Sequence, residues 1–97
     1  MKIAIASEGK TKDSTVSGRA GRAPYYLIFE SKKLLEAWKN PFAVGGGGAG
    51  FSVAKVLGDK GVKKIIAGKA GPNYAVALKE RGIKFKEAEG KVSAFLK

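Results

Sequence analysis

The chain has 97 residues, with 19 Lys or Arg against 8 Asp or Glu and a formal net charge of +11. That length supports one domain over residues 1–97 with one modest core, and 44% hydrophobic residues with 14 glycines and 3 prolines describe a globular chain. Cysteine, histidine and glutamine are absent, which excludes disulfides, thiolate clusters, cysteine nucleophiles, histidine metal ligands and histidine acid–base catalysis.

The charge favours polyanions, acidic surfaces or anionic ligands through salt-sensitive attraction. Lysine outnumbers arginine heavily and forms no dense run, so a solvated lysine coat and a functional basic face both stay open. Lysine-rich composition without glutamine or cysteine suits a heat-adapted source. No apolar run approaches the roughly 20 residues of a membrane span. The strand pattern begins at Met1 with no leader ahead of it, so the expected location is the cytoplasm.

Ile3, Ala4, Ile5 and Ala6 predict a short buried strand that ends at Ser7-Glu8-Gly9. Residues 7–23 then form a long polar connection, and long connections in compact domains are often functional. Within it, Ser17, Arg19, Gly21 and Arg22 stand out, because two guanidiniums beside glycines can chelate an oxyanion. Their alternative role is to anchor the loop to backbone carbonyls. Pro24 leads into a second strand, Tyr25-Tyr26-Leu27-Ile28-Phe29, rich in β-formers. Residues 31–40 read equally well as a helix, from the spacing of Leu34, Leu35 and Trp38, or as a strand hairpinned to its predecessor.

Gly45, Gly46, Gly47 and Gly48 follow, opening through Ala49-Gly50 into a helix with Val53, Ala54 and Leu57 on one face and Gly58 or Gly61 at its end. Glycines before a helix expose backbone N–H groups to a ligand, and the helix dipole adds positive charge there. The run satisfies a dinucleotide spacing but has Ala70 where an acid is required, and Phe51-Ser52 stands where a phosphate loop needs Lys-Ser/Thr. Residues 62–67 predict a strand. Gly68, Gly71, Pro72 and Asn73 turn it into a helix carrying Tyr74, Val76, Ala77 and Leu78 that stops at Gly82. A half-exposed strand at residues 83–86 and a closing helix with Val92, Phe95 and Leu96 complete the order β-β-β-α-β-α-β-α, if the ambiguous element is a strand. The connection at 7–23, the glycine run and the 68–73 turn then share the carboxyl end of the parallel strands, where open α/β sheets bind ligands.

Catalytic groups are thin. The acids are scattered, with only Glu8 and Asp13 expected to face the loop end, and Ser7, Ser14 and Ser17 have no histidine base. A non-enzyme is expected.

Met1-Lys2-Ile3-Ala4-Ile5-Ala6, Asp13-Ser14-Thr15-Val16-Ser17, Gly21-Arg22-Ala23-Pro24-Tyr25, Asn40-Pro41, the glycine run, Gly61-Val62, Ile66-Ala67-Gly68, Gly71-Pro72-Asn73 and Ala77-Leu78 to Gly82-Ile83-Lys84 occur in that order. Together they resemble the dinitrogenase iron-molybdenum cofactor biosynthesis family over nearly the whole chain. The resemblance implies a three-layer, ribonuclease-H-like α/β fold with a mixed five-stranded sheet, and residues 32–39 as its third strand. It also implies a role in carrying, binding or inserting iron-sulfur or molybdenum-containing cofactors, alongside cofactor-assembly proteins. Members commonly carry histidine and phenylalanine before the Gly-Arg-Ala-Pro element, where this chain has Arg19 and Ala20. Without histidine or cysteine, an iron-sulfur or molybdenum-containing cluster, or an oxyanion, would be held electrostatically rather than ligated. The expected cofactor-binding residues are Ser17, Arg19, Gly21, Arg22, the four glycines 45–48, Gly68, Gly71, Pro72 and Asn73. A nucleic-acid-binding module using the lysines, or an interaction domain without a small ligand, is the alternative. An exposed edge strand at residues 34–38 leaves monomer and dimer open.

Overall fold

A computed structural model of the chain describes residues 1–44 and 49–96. The first apolar run becomes β1 (Lys2–Ser7), whose Ala4, Ile5 and Ala6 are buried on both faces as a central strand requires. It pairs antiparallel with β2 (Tyr25–Glu30), and β2 pairs antiparallel with β3 (Lys33–Lys39). On its other side β1 runs parallel to β4 (Val62–Ala67), which is parallel to β5 (Lys84–Glu87). The five strands lie in the order β3-β2-β1-β4-β5.

Residues 33–39 are a strand despite the helical spacing of Leu34, Leu35 and Trp38. A two-residue turn at Ser31 (φ 50°) and Lys32 (φ 69°) sends the chain back along β2, and this left-handed pair matches the twist of a hairpin. As a sheet-edge strand it leaves Leu34 and Leu35 exposed, while Trp38 packs against Tyr26 with ring centroids 6.4 Å apart.

The sheet period of two sends Ala4, Ala6, Tyr26, Ile28, Ile65 and Ala67 to one face. There they meet α1 (Ala49–Asp59) through Val53, Ala54 and Leu57, and α2 (Pro72–Glu80) through Tyr74, Ala77 and Leu78. Val76, on the same helix, is exposed, because it lies about 200° around α2 from Tyr74 and Leu78. α1 ends at Gly61 and α2 at Gly82, both with positive φ, and the Gly82 N–H reaches the Lys79 carbonyl at 3.1 Å.

Ile5, Leu27, Phe29 and Ile66 form the second face. The closing helix is a single 3₁₀ turn (Val92–Phe95), and it shares the cover of this face with part of the long polar connection. The two segments are laced together: Val16 N–H donates to the Gly90 carbonyl at 2.7 Å, Val92 N–H to Ser14 at 3.0 Å and Ser93 N–H to Lys12 at 2.8 Å. The result is a three-layer α/β architecture. Among the described residues, no helix is long and apolar enough to cross a membrane.

Candidate anion-binding site

β1 and β4 are parallel neighbours, so the segments leaving them emerge side by side. They are stitched into one rim: Gly68 N–H donates to the Ser17 carbonyl at 2.8 Å, Lys69 N–H to Gly18 at 3.0 Å and Ala20 N–H to Lys69 at 3.0 Å. A side chain at position 68 would collide with this seam, since its Cβ would lie 2.6 Å from the Gly18 carbonyl.

The next stretch is held by Asn40, which is 3% exposed at the end of β3. Its Nδ2 donates to the carbonyls of Ala23 at 2.9 Å and Gly21 at 3.2 Å, while its Oδ1 accepts the Phe42 N–H at 2.9 Å. Below the rim, the buried Tyr26 hydroxyl donates to the Ala20 carbonyl and lies 2.8 Å from the Tyr74 hydroxyl. Burial, followed by the neighbouring Tyr74, pushes the Tyr26 hydroxyl well above its ordinary pKa; burial also raises Tyr74.

These supports frame a cleft of about 330 Å³. Arg19, Gly21 and Arg22 line one side, the start of α1 at Ala49 and Gly50 another, and Lys69, Gly71, Pro72, Asn73 and Tyr74 the third. The two helix starts touch: a Cβ on Gly50 would sit 2.8 Å from Tyr74 Cβ. Gly71 caps α2 in an extended conformation without a side-chain hydrogen bond, Pro72 follows, and the first turn carries no acid. Three cationic side chains and the positive ends of two helices therefore share a cleft with no carboxylate among its described lining residues. Arg22 also donates to the Phe42 carbonyl at 3.4 Å. A larger depression, about 500 Å³, lies over Phe51, Lys55, Ala77, Glu80 and Arg81 on the outer side of the helices, but its charges are mixed.

The family model for the dinitrogenase iron-molybdenum cofactor family matches residues 1–97. The chain belongs to this family. Among curated proteins, none matches it by sequence. Solved structures similar to this family member include the apo form of the orange protein from Desulfovibrio gigas, 31% identical over 96% of this chain and 81% of that one, with a TM-score of 0.89. A candidate NifB protein from Thermotoga, of the DUF35 family, is 35% identical over 94% of this chain and 79% of that one, with a TM-score of 0.79.

In this member of the family, the structure brings Arg19, Gly21, Arg22, Gly71, Pro72 and Asn73 together as cleft lining. Ser17 is elsewhere: it is 1% exposed and its Oγ turns to the Arg19 backbone, accepting its N–H at 3.4 Å. Gly68 serves the seam and borders a neighbouring depression with Glu87, Ala88 and Glu89. Gly45, Gly46, Gly47 and Gly48 lie outside the described residues. Asp13, expected near the loop end, sits beside Lys10, Lys12, Phe29 and Leu34 because the connection folds back across the second sheet face. Among the described residues, no three His, Cys, Asp or Glu side chains gather as a metal site.

Sequence reasoning did not place Lys69, Gly50 or Tyr74 in the lining. Lys69 had a signal in its position between two turn glycines, and Tyr74 in being a hydroxyl on an otherwise apolar helix face.

Proposed function

We propose that the chain is a non-enzymatic binding or carrier protein, accessory to the making or transfer of an iron-molybdenum or iron-sulfur cofactor, and that it holds an anionic cluster or oxyanion in the cleft beneath Arg19 and Arg22. The observation that carries this reading is the convergence of Arg19, Arg22 and Lys69 with two helix starts on a cleft with no acid among its described lining residues. Oxyanions and anionic clusters present several negatively charged atoms at once. Two guanidiniums, an ammonium and the Asn73 and Tyr74 backbone N–H groups can meet them from different directions.

The donor set fits cargo held intact and not ligated. A soft sulfidic cluster seeks thiolate or imidazole, and the chain has neither. Charge and backbone N–H groups leave the cargo's own ligands in place, which suits pick-up from and delivery to cofactor-assembly proteins. The orange protein and the candidate NifB protein support this direction by family. The ribonuclease-H-like motif is supported by the strand order, with three antiparallel strands leading into the parallel pair. A cytoplasmic, heat-adapted setting accords with the composition.

A thermal-shift and calorimetry screen with molybdate, phosphate, nucleotides and reconstituted clusters tests the proposal. A bound anion at one hundred times its dissociation constant should stabilise the fold by about 2.7 kcal/mol. Arg19→Ala with Arg22→Ala should abolish that gain. If none of these anions binds, or if the double variant binds them undiminished, the reading is wrong.

A further inference from the structure

The layer opposite the helices carries a separate feature: its lysines stand apart from the ion pairs. The three described ion pairs, Met1 with Glu30, Lys55 with Asp59 and Lys60 with Glu36, involve the sheet margin and the helix side. Register and the two-residue period place Lys64 and Lys84 beside each other on the second face, in line with Ile66. Lys86 is the register partner of Ile66, and its Nζ lies 5.6 Å from the centre of the Phe95 ring, which packs on that face. Across the covering layer, Lys10, Lys12 and Lys32, with the single acid Asp13 between them, ring a depression of about 390 Å³ floored by Phe29 and Leu34. Lys10 Nζ is also 5.8 Å from the centre of the Tyr25 ring. Among the described residues, none of these six ammonium groups has a carboxylate partner within ion-pair distance.

We propose that this lysine-bearing face binds single-stranded nucleic acid, independently of the anion cleft. Lys84 and Lys86 repeat at about 6.7 Å along β5, with Lys64 about 4.8 Å across on β4, a spacing that serves successive phosphates. The half-buried rings of Phe95 and Tyr25 beside lysines supply the second element of such surfaces, aromatic groups on which bases stack whatever their identity.

The test is fluorescence anisotropy of the full chain with random-sequence single-stranded DNA and RNA oligonucleotides at increasing salt. Binding is expected at low salt and should fall steeply, each neutralised phosphate adding about −0.7 to the slope of log affinity against log salt. Lys64→Ala with Lys84→Ala and Lys86→Ala should shallow that slope by about 2 and weaken binding about tenfold or more. Lys33→Ala with Lys55→Ala and Lys79→Ala, which removes the same charge from elsewhere, should change it far less. Circular dichroism checks that both variants fold, and Lys10→Ala with Lys12→Ala and Lys32→Ala tests the other flank separately. Arg19→Ala with Arg22→Ala should leave oligonucleotide binding in place. Absence of binding at low salt, equal loss in the two charge-matched triple variants, or equal competition by polyglutamate would overturn the proposal, the last pointing to an acidic protein instead.

Discussion

The hydroxyls of Tyr26, on the second strand, and Tyr74, in the first turn of α2, lie 2.8 Å apart in the core beneath the cleft. Because the Ala20 carbonyl can only accept, the Tyr26 proton points to it and the Tyr26 oxygen is left to accept from Tyr74. One chain of hydrogen bonds therefore ties the helix start, the sheet and the Arg19-bearing loop together. Tyr26→Phe strands both the carbonyl and the Tyr74 hydroxyl and should cost about 1–3 kcal/mol in urea denaturation. Tyr74→Phe leaves the Tyr26–Ala20 bond intact and should cost less. Equal costs would mean that the loop is not held through Tyr26.

The same pair makes stability sensitive to alkali. Both hydroxyls are raised above the ordinary value of 10, chiefly by burial, so the folded chain keeps protons that the unfolded chain releases. The unfolded state then binds fewer protons above pH 10, and unfolding free energy must fall as pH rises through that region, with the contribution complete below it. The Tyr26→Phe, Tyr74→Phe double variant isolates the effect: its stability should decline less between pH 9 and 11 than that of the natural chain, by chemical denaturation at matched ionic strength. Parallel declines would refute the assignment.

Much of this framework was legible from residue pattern. Buried runs such as Ile3 to Ala6 and Ile65-Ile66-Ala67 announce strands through local periodicity, and Pro72 and Gly82 bracket a helix because their backbone preferences are local too. The strand at Lys33–Lys39 was not legible from spacing, since Ser31-Lys32 lacks the glycine or asparagine that usually marks a left-handed two-residue turn, and pairing with β2 overrides helical spacing. The closing 3₁₀ turn was read as a helix for a related reason: its apolar residues are set by the sheet face they cover. At the cleft, Arg19, Arg22 and Asn73 could be nominated from loop chemistry. Ser17 could not be distinguished from its neighbours, because whether a hydroxyl faces a cleft or its own backbone depends on the seam with Gly68, a contact remote in sequence.

The two arginines should separate in ligand-free stability although both serve the cleft. Arg19 is exposed, and removal of its side chain should change unfolding free energy by no more than about 0.5 kcal/mol. Arg22 is half-buried and donates to the Phe42 carbonyl, so Arg22→Ala should cost about 1 kcal/mol even without an anion. Calorimetric titration with whichever oxyanion the screen identifies should show both substitutions weakening binding. If Arg19→Ala destabilised the free protein as much as Arg22→Ala, Arg19 would be a structural anchor and not a ligand contact.

Asn40 offers a test of the rim that leaves every cleft side chain in place. Its side chain is buried and makes three hydrogen bonds to the backbone of the Gly21–Ala23 and Phe42 segments. Asn40→Ala should cost about 1–3 kcal/mol through the unpaired carbonyls and N–H it leaves behind. Asn40→Asp is the sharper variant, because it keeps the Phe42 acceptor while setting a carboxylate against two carbonyl oxygens. Its destabilisation should therefore match or exceed that of alanine, and equal it only if water replaces the lost donors.

Gly50 and Gly71 both line the cleft, yet alanine should act on them in opposite ways. In an ordinary helix position, Gly→Ala stabilises by up to about 1 kcal/mol. At Gly50 the added Cβ would stand 2.8 Å from Tyr74 Cβ and 3.0 Å from its Cα and N, mostly backbone that cannot rotate away. Moving α1 off α2 by the missing fraction of an ångström should turn that gain into a loss of about 1–3 kcal/mol. It would also separate the two helix starts, so oxyanion affinity should drop along with stability. Gly71 has open space around its Cβ position and a φ of −69° that alanine adopts freely. There the lower helix-capping preference of alanine and the reduced freedom of the unfolded chain nearly offset, and melting temperature and anion affinity should both stay close to the natural values. A stabilised Gly50→Ala variant with full anion binding would show that close contact between the helix starts is not what shapes the cleft.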